Sequence, residues 1–333
     1  HLFEDRVDSE GVVRPAVLLD SVGSAANRAE EALLRGVQDG VIHLPDLLLD
    51  VEGYGEVSTL QLPHRCFDAY LREGLLDGEP FPTSAIGSSL QHATMRDATA
   101  IYRHCPVSLL FGAWNSHGIK GGMGAKFARV LSAEIVGLGV QKGERRAQKT
   151  DPLAQKTKEI AAYEADGRSF TLHRVKGSKA KQVKLSELGF GSVPAKQAGG
   201  VTVEYAEQHV VLSLGQLRRL CFPIDGEDDE ERNLAGRAVL ATLGILAIEL
   251  QRDHGFSLRS GCELALEKEP AWELVGRTLE NLTTLEVGGS SGALRLFKET
   301  VDHAASKGLT FAEPLQLTAR DELVELVERA RSV

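Results

Sequence analysis

Between Gly118 and Gly124 the chain places four glycines, Gly118, Gly121, Gly122 and Gly124, with Lys120 and Lys126 at the loop edges. Glycine lets backbone approach a ligand closely, and lysine ammonium groups are point charges suited to phosphate. In outline this is a polyanion site. Nucleotide motifs fail on spacing. A G-x-x-x-x-G-K-[ST] loop is excluded because Gly124 is followed by Ala125, and Lys126 by Phe127. The dinucleotide pattern G-x-G-x-x-G starts at Gly122-Met123-Gly124 and breaks at Ala125-Lys126-Phe127. Taken alone, the loop reads equally as a surface connection.

Other residues could carry catalysis. Asp20 and Ser21 sit at a strand end, and His92, Asp97 and His104 could face one side of a helix over 86–104. A metal-dependent nuclease needs two or three converging carboxylates, and no H-E-x-x-H or clustered acidic motif exists. Asp20 therefore reads as a cap or turn residue. His64, beside Arg65, and His117, in the glycine loop, have the chemistry of a general acid and base for RNA cleavage. The blander role, contact to phosphate or to backbone, carries more weight. Ser84, Ser108 and Ser116 lack a G-x-S-x-G setting, so acyl transfer has no support. No catalytic, metal or cofactor assignment is made.

These residues need a scaffold, and the hydrophobic pattern supplies one. Val13–Asp20 reads as a strand, followed by a helix capped by Ser21 or Ser24 that runs through Leu34 and stops at Gly36. Leu44–Val51 and Val57–Leu62 read as strands, and His64–Leu76 and Ile86–His104 as helices, the second ended by Pro106. The apolar run Val107–Phe111 reads as a buried strand continuing to Trp114, whose ring is core or a subunit contact rather than a ligand platform. Asp228–His254 is apolar nearly all round from Ala238 to Ile248 and must be a central helix. Arg295–Ser306 and Asp321–Arg331 are amphipathic, with Thr318 and Asp321 as a capping box for the last. Strands alternating with helices imply an α+β or α/β sandwich.

Residues 142–198 break this rhythm: they are rich in Lys, Gly, Ser and Gln, and suggest an insertion with a β-hairpin around Ser169–Lys184. Net charge is −9, which by itself argues against nucleic acid, but the charge is segregated. Lys142–Lys184 holds twelve Lys/Arg against five Asp/Glu, a local +7 that leaves −16 for the rest. Such an asymmetry suits one localised polyanion face, or a solvated basic insertion. The cysteines Cys66, Cys105, Cys221 and Cys262 are scattered and read as reduced thiols in a cytoplasmic protein. No apolar stretch reaches a membrane span, and no signal peptide is visible; the first residue is His1, so the true N-terminus is expected to lie upstream.

The string FGAWNSHG…GGMGAKFARVLSAEIVG, with RPAVLLDSVGSAANRAEEALL at 14–34, LPHRCFDAYLRE at 62–73, SAIGSSLQHATMRDATAIYRHCP at 84–106 and GGVTVEYAEQHVVLSLGQLRRLCFP at 199–223, resembles a known family. It is similar to the repeated backbone subunit of the type I-U (I-G) CRISPR Cascade complex, in the Cas-seven group of crRNA-binding proteins of the RAMP superfamily. The resemblance thins after Pro223. It implies an α+β fold, a modified RRM-like (ferredoxin-like) core with helices on one side of an antiparallel sheet. The core would occupy 1–141 and 199–333, with a thumb-like insertion at 142–198. The implied function is a non-catalytic subunit that oligomerises head to tail along crRNA and presents spacer bases to target DNA. Implied partners are a fused Cas-five/Cas-six-type subunit, a large subunit and a helicase–nuclease, with no membrane. Matched onto this sequence, the RNA contacts fall on Asn27 and Arg28, on His64 and Arg65, and on Lys120, Lys126 and Arg129. In the basic segment they fall on Arg145, Arg146, Lys149, Arg174 and Lys176. The RRM stacking signature is absent, and aromatics are scarce, so stacking is not expected to dominate affinity. The alternatives are an RNA-processing endoribonuclease and a scaffold whose basic insertion recruits an acidic partner.

Overall fold

The computed structural model describes residues 2–8, 10–115, 124–153, 160–165, 169–173, 181–259, 261–278 and 280–331, with backbone only at 144–149 and 193–199. The chain is mixed α+β, compatible with an RRM-like core. It divides into two compact units, one of residues 18–136 and 206–333 and one of residues 2–17 and 137–205.

The larger unit is organised by the helix Glu230–Asp253. Asp229 caps it by accepting from the Arg232 amide (2.8 Å), and Glu230 and Glu231 sit at the positive end of its dipole. Gly255, at φ 77°, follows its end. Val239, Leu240, Leu243, Leu246 and Ala247 are fully enclosed, which accounts for the all-round apolar pattern. By length and composition this helix passes as a membrane span, but 61% of the apolar window is buried in protein. Its Glu249 is held by Arg252 (2.6 Å) and the Trp272 indole N–H (2.7 Å). Helices Val22–Gln38 and Gly289–Ser306 pack on it, the latter through a Thr242–Thr300 hydroxyl contact of 2.7 Å.

A five-stranded sheet runs in the order Gly55–Ser58, Leu47–Val51, Leu315–Ala319, Gly74–Leu76, Glu79–Pro80. Leu47, Leu49, Val51 and Leu317 alternate into the core as the strand period requires. The pairing of Leu315–Ala319 with Leu47–Val51 is parallel, a departure from the wholly antiparallel expectation. A four-stranded sheet takes Phe3–Val7, Val13–Asp20, Leu131–Leu138 and Tyr205–Leu212 in that order.

Several elements differ from the sequence reading. Val107–Phe111 is a helical turn, not a strand: the Pro106 carbonyl accepts from the amides of Leu109 (3.0 Å) and Leu110 (3.2 Å). All five side chains are buried, and a short, wholly apolar run has no period to separate helix from strand. The expected helix over 86–104 is two, Ala85–His92 and Thr99–His104, split by a Thr94–Asp97 bridge. His64–Leu76 resolves into the 3-10 turn Arg65–Phe67, the short helix Ala69–Arg72 and a strand, because Asp68 turns the chain by accepting from the His64 and Tyr70 amides, both at 3.0 Å. The strand expected over 57–62 ends at Ser58, which caps the turn Thr59–Gln61. The first helix continues past Gly36 to Gln38, since Gly36 packs beneath Ile42 instead of stopping the helix. Thr318 is a strand residue paired with Asp50, not part of a capping box.

In the smaller unit, Gln141–Lys149 pairs with Val193–Thr202 as a long antiparallel ribbon. The hairpin expected over 169–184 is replaced by a three-stranded sheet in which Ala162–Ala165 lies between Ser169–Thr171 and Gln182–Val183. Arg14 joins Asp8 and Glu204 (2.9 Å to the latter) and lies over the Tyr205 ring. All four cysteines are unpaired.

Candidate nucleic-acid interface

The helix Val22–Gln38 begins where the strand Val13–Asp20 ends, and Ser21 caps it by accepting from the Ser24 amide (3.3 Å). An open helix start carries unpaired amides and the positive end of the dipole. Arg129 reaches this end, its Nη1 donating to the Val22 carbonyl at 2.8 Å. Burial, then the Arg65 charge, lowers the Arg129 pKa, with Glu30 opposing. The group remains a cation at any physiological pH. Among the described residues its guanidinium makes no other hydrogen bond or ion pair.

Arg65 is not at the surface. Its backbone is left-handed (φ 50°), and its Nε and Nη2 grip the Glu30 carboxylate at 2.6 and 2.8 Å. Nη1 donates to the Gly112 carbonyl at 2.9 Å, and the guanidinium lies over the Phe111 ring. Burial pushes the Glu30 carboxyl above its usual range, while the bonds and charge of Arg65 and the charge of Arg129 pull it back. The bidentate fork expected for phosphate is spent on a buried carboxylate.

Arg28 is likewise engaged. It donates to the carbonyls of Ser257 (3.2 Å) and Leu258 (3.3 Å), and its Nε lies 3.3 Å from Asp20 Oδ2. That approach is an ion pair without hydrogen-bond geometry, and both atoms are buried. Asp20 is thus Arg28's counter-charge, and the cap role expected of it belongs to Ser21.

Gly112 ties this region to the start of the glycine loop. It sits at φ 86°, and a Cβ there would lie 3.1 Å from the Arg129 amide nitrogen and 3.2 Å from the Phe127 carbonyl. Beyond it Ala113–Trp114 pairs with Lys126–Phe127, and the Asn115 amide donates to the Ala125 carbonyl at 3.0 Å. Gly124 is required here, because a Cβ would come within 1.8 Å of the Asn115 oxygen. Trp114, expected in the core or at a subunit contact, is not in the core: it is 57% exposed, with the Lys126 ammonium 5.7 Å from its ring centroid. Asn27 and the His64 ring are also exposed.

The other expected contacts are placed less fully. Lys120, with Ser116 and His117, lies outside the described residues, as do Arg174 and Lys176. Arg145, Arg146 and Lys149 stand on the strand Gln141–Lys149 of the smaller unit, opposite Ala198, Gln197 and Val193, with side chains outside the description. Ser84 caps Ala85–His92, and Ser108 is buried against Cys105 and the Cys66 amide; neither is set up as a nucleophile. His92, Asp97 and His104 do line one cavity, although two helices and a turn bring them there. Among the described residues no three His, Cys, Asp or Glu side chains are grouped as a metal site requires.

What the geometry offers is an arginine with spare donors at a helix start, beside a lysine–tryptophan ribbon. The sequence signal for Trp114 was available in its position between an apolar run and a glycine loop, but burial and exposure are not separable there from residue type. No curated protein matches the chain. Residues 3–142, which include Asn27, Arg28, His64, Arg65, Lys126 and Arg129, match the model of the family described as CRISPR-associated protein GSU0053, and this match places that stretch in a CRISPR-associated protein family.

Proposed function

We propose that this chain is a non-catalytic, crRNA-binding backbone subunit of a type I CRISPR effector. Copies line up head to tail along one crRNA in the cytoplasm, grip its phosphates and leave the spacer bases free to pair with target DNA. The observation that carries this reading is the cluster of Arg129, Lys126 and the exposed Trp114 around Gly112, inside the stretch that matches a CRISPR-associated family. A subunit that must accept any spacer needs affinity from phosphate and shape, while base pairing supplies sequence choice. An exposed indole adds a sequence-tolerant surface for a base or ribose. Head-to-tail contacts that do not close build a filament whose length the RNA limits. A fused Cas-five/Cas-six-type subunit, a large subunit and a helicase–nuclease complete the proposed assembly.

The test combines Lys120→Glu, Lys126→Glu and Arg129→Gln in the full chain. Affinity for crRNA should fall, and the slope of log K against log salt should flatten by roughly 0.7 for each phosphate no longer neutralised. The thermal midpoint serves as the control for folding. Unchanged affinity at moderate salt would remove this cluster from the RNA path, and cleavage of repeat-containing RNA by the wild-type chain would overturn the non-catalytic reading.

A further inference from the structure

A second polar site lies apart from that cluster, in the larger unit. Ser89, His92, Asp97, Thr99, Arg103 and His104 bound a cavity of about 330 Å³, together with Ala93, Ala100 and Pro223. That volume falls at the lower end of pockets that hold small molecules. Arg103 Nε and His104 Nδ1 are both buried, and neither has a hydrogen-bond partner among the described residues. Arg103 forms no ion pair among them either, unlike Arg28 and Arg65. A buried donor without a partner bears its full desolvation cost, and native proteins rarely leave such groups unmatched. Arg103, which has no ion pair among the described residues, thus shares this cavity with two imidazoles, His92 and His104, a set of groups suited to an oxyanion.

We propose that this cavity is a binding pocket for a phosphate group, taken from a free phosphate-bearing ligand or from the end or backbone of a nucleic-acid strand. The Arg103 guanidinium supplies a forked cationic donor, and His104 lines the cavity beside it. His92 adds a second imidazole: its Nδ1 donates to the Ser88 carbonyl at 2.7 Å, which leaves Nε2 as an acceptor. A monohydrogen phosphate can accept from the guanidinium and give its own proton to His92 Nε2, whereas an ionised carboxylate has no proton to give. The hydroxyls are committed as donors, Ser89 to the Ile86 carbonyl (2.7 Å) and Thr99 to the Pro223 carbonyl (2.8 Å), and they define the walls. Asp97 is the opposing charge; its carboxylate accepts from the Thr99 amide at 3.3 Å and limits how much negative charge the pocket accepts. Burial and the Arg103 charge lower the His104 pKa, and a bound phosphate reverses that balance. The pocket stands on its own geometry and does not depend on the RNA-binding reading.

The test titrates inorganic phosphate, with acetate as control, into the full chain while histidine ring resonances are followed by NMR. Phosphate should move the His92 and His104 signals selectively and raise the His104 titration midpoint. Arg103→Gln should weaken phosphate binding by about tenfold to a hundredfold, and Asp97→Asn should tighten it. Ser89→Asp, an exposed change at the rim, gives the same loss if the arginine variant fails to fold. A 5′-phosphorylated oligonucleotide separates the sources. If its affinity falls together with phosphate binding, the strand is the source; if it is retained while phosphate binding disappears, the source is a free ligand. No histidine response to phosphate, an equal response to acetate, or full phosphate binding by both Arg103→Gln and Ser89→Asp would overturn the proposal. Each result reads the same whether or not the wild-type chain binds crRNA.

Discussion

Glu30 and Arg65 form an ion pair almost wholly out of water, and that position decides what either residue can do. Desolvation of two charges is costly, and the bidentate geometry, the Gly112 carbonyl, the Phe111 ring and the nearby Arg129 charge offset it. Removing one partner is far worse than never having built the pair. Arg65→Met should therefore destabilise the fold by about 3–5 kcal/mol near neutral pH, through the stranded carboxylate. The sign of the pH dependence follows from burial. A carboxyl whose folded pKa lies above its unfolded value loses stability as pH rises through that interval, and without Arg65 the interval widens. Denaturant midpoints should differ least between wild type and variant in acid, and the gap should open as pH rises; a gap independent of pH would mean that packing, not charge, carries the loss. None of this was legible in the sequence. Arg28 and Arg65 look like surface forks, because their partners, Glu30 and the carbonyls of Ser257 and Leu258, are fixed by tertiary contacts that no local pattern encodes. Lys126, whose exposure follows from its place beside a glycine loop, was legible.

Among the elements, long periodic segments were read well and short apolar ones were not. The strand Val13–Asp20 and the central helix Glu230–Asp253 fall close to where pattern and caps put them. Val107–Phe111 failed because five consecutive apolar residues satisfy either period, and the helical turn is decided by Pro106 before it and Gly112 after it. The central helix also shows propensity yielding to packing. Gly236 costs roughly 1 kcal/mol relative to alanine in a helix interior. A Cβ there, however, would lie 2.6 Å from the Phe222 ring and 2.7 Å from Leu309. Overpacking of this kind costs about 1–3 kcal/mol, so it should outweigh the propensity gain. Gly236→Ala should lower the thermal midpoint of the full chain, while Gly215→Ala, where the nearest atom is 3.8 Å away, should not. A rise in the midpoint for Gly236→Ala would show that the Phe222 ring yields freely.

For the molecule as a whole, the governing feature is charge placed unevenly along a chain that is acidic overall. The +7 carried by Lys142–Lys184 falls within the smaller unit, against −9 for the full sequence. Composition made that asymmetry legible, but not the ribbon Gln141–Lys149 with Val193–Thr202 that leads into it, since strands of Lys, Gly and Gln lack the apolar alternation that marks a half-buried strand. The register offers a clean place to cut. Glu144 faces Gly199 and Gly143 faces Gly200, so replacing 145–198 by a two-residue Asn-Gly turn would close the ribbon as a short hairpin. The larger unit takes no residue from that segment, and should keep its helical circular dichroism and a cooperative melt. If the basic segment holds RNA or aligns neighbouring copies, the shortened protein should bind crRNA more weakly, with a shallower salt dependence, and form irregular assemblies under the electron microscope. Assemblies of normal length and spacing from a folded variant would show that the grip resides in the larger unit alone, around Lys126 and Arg129.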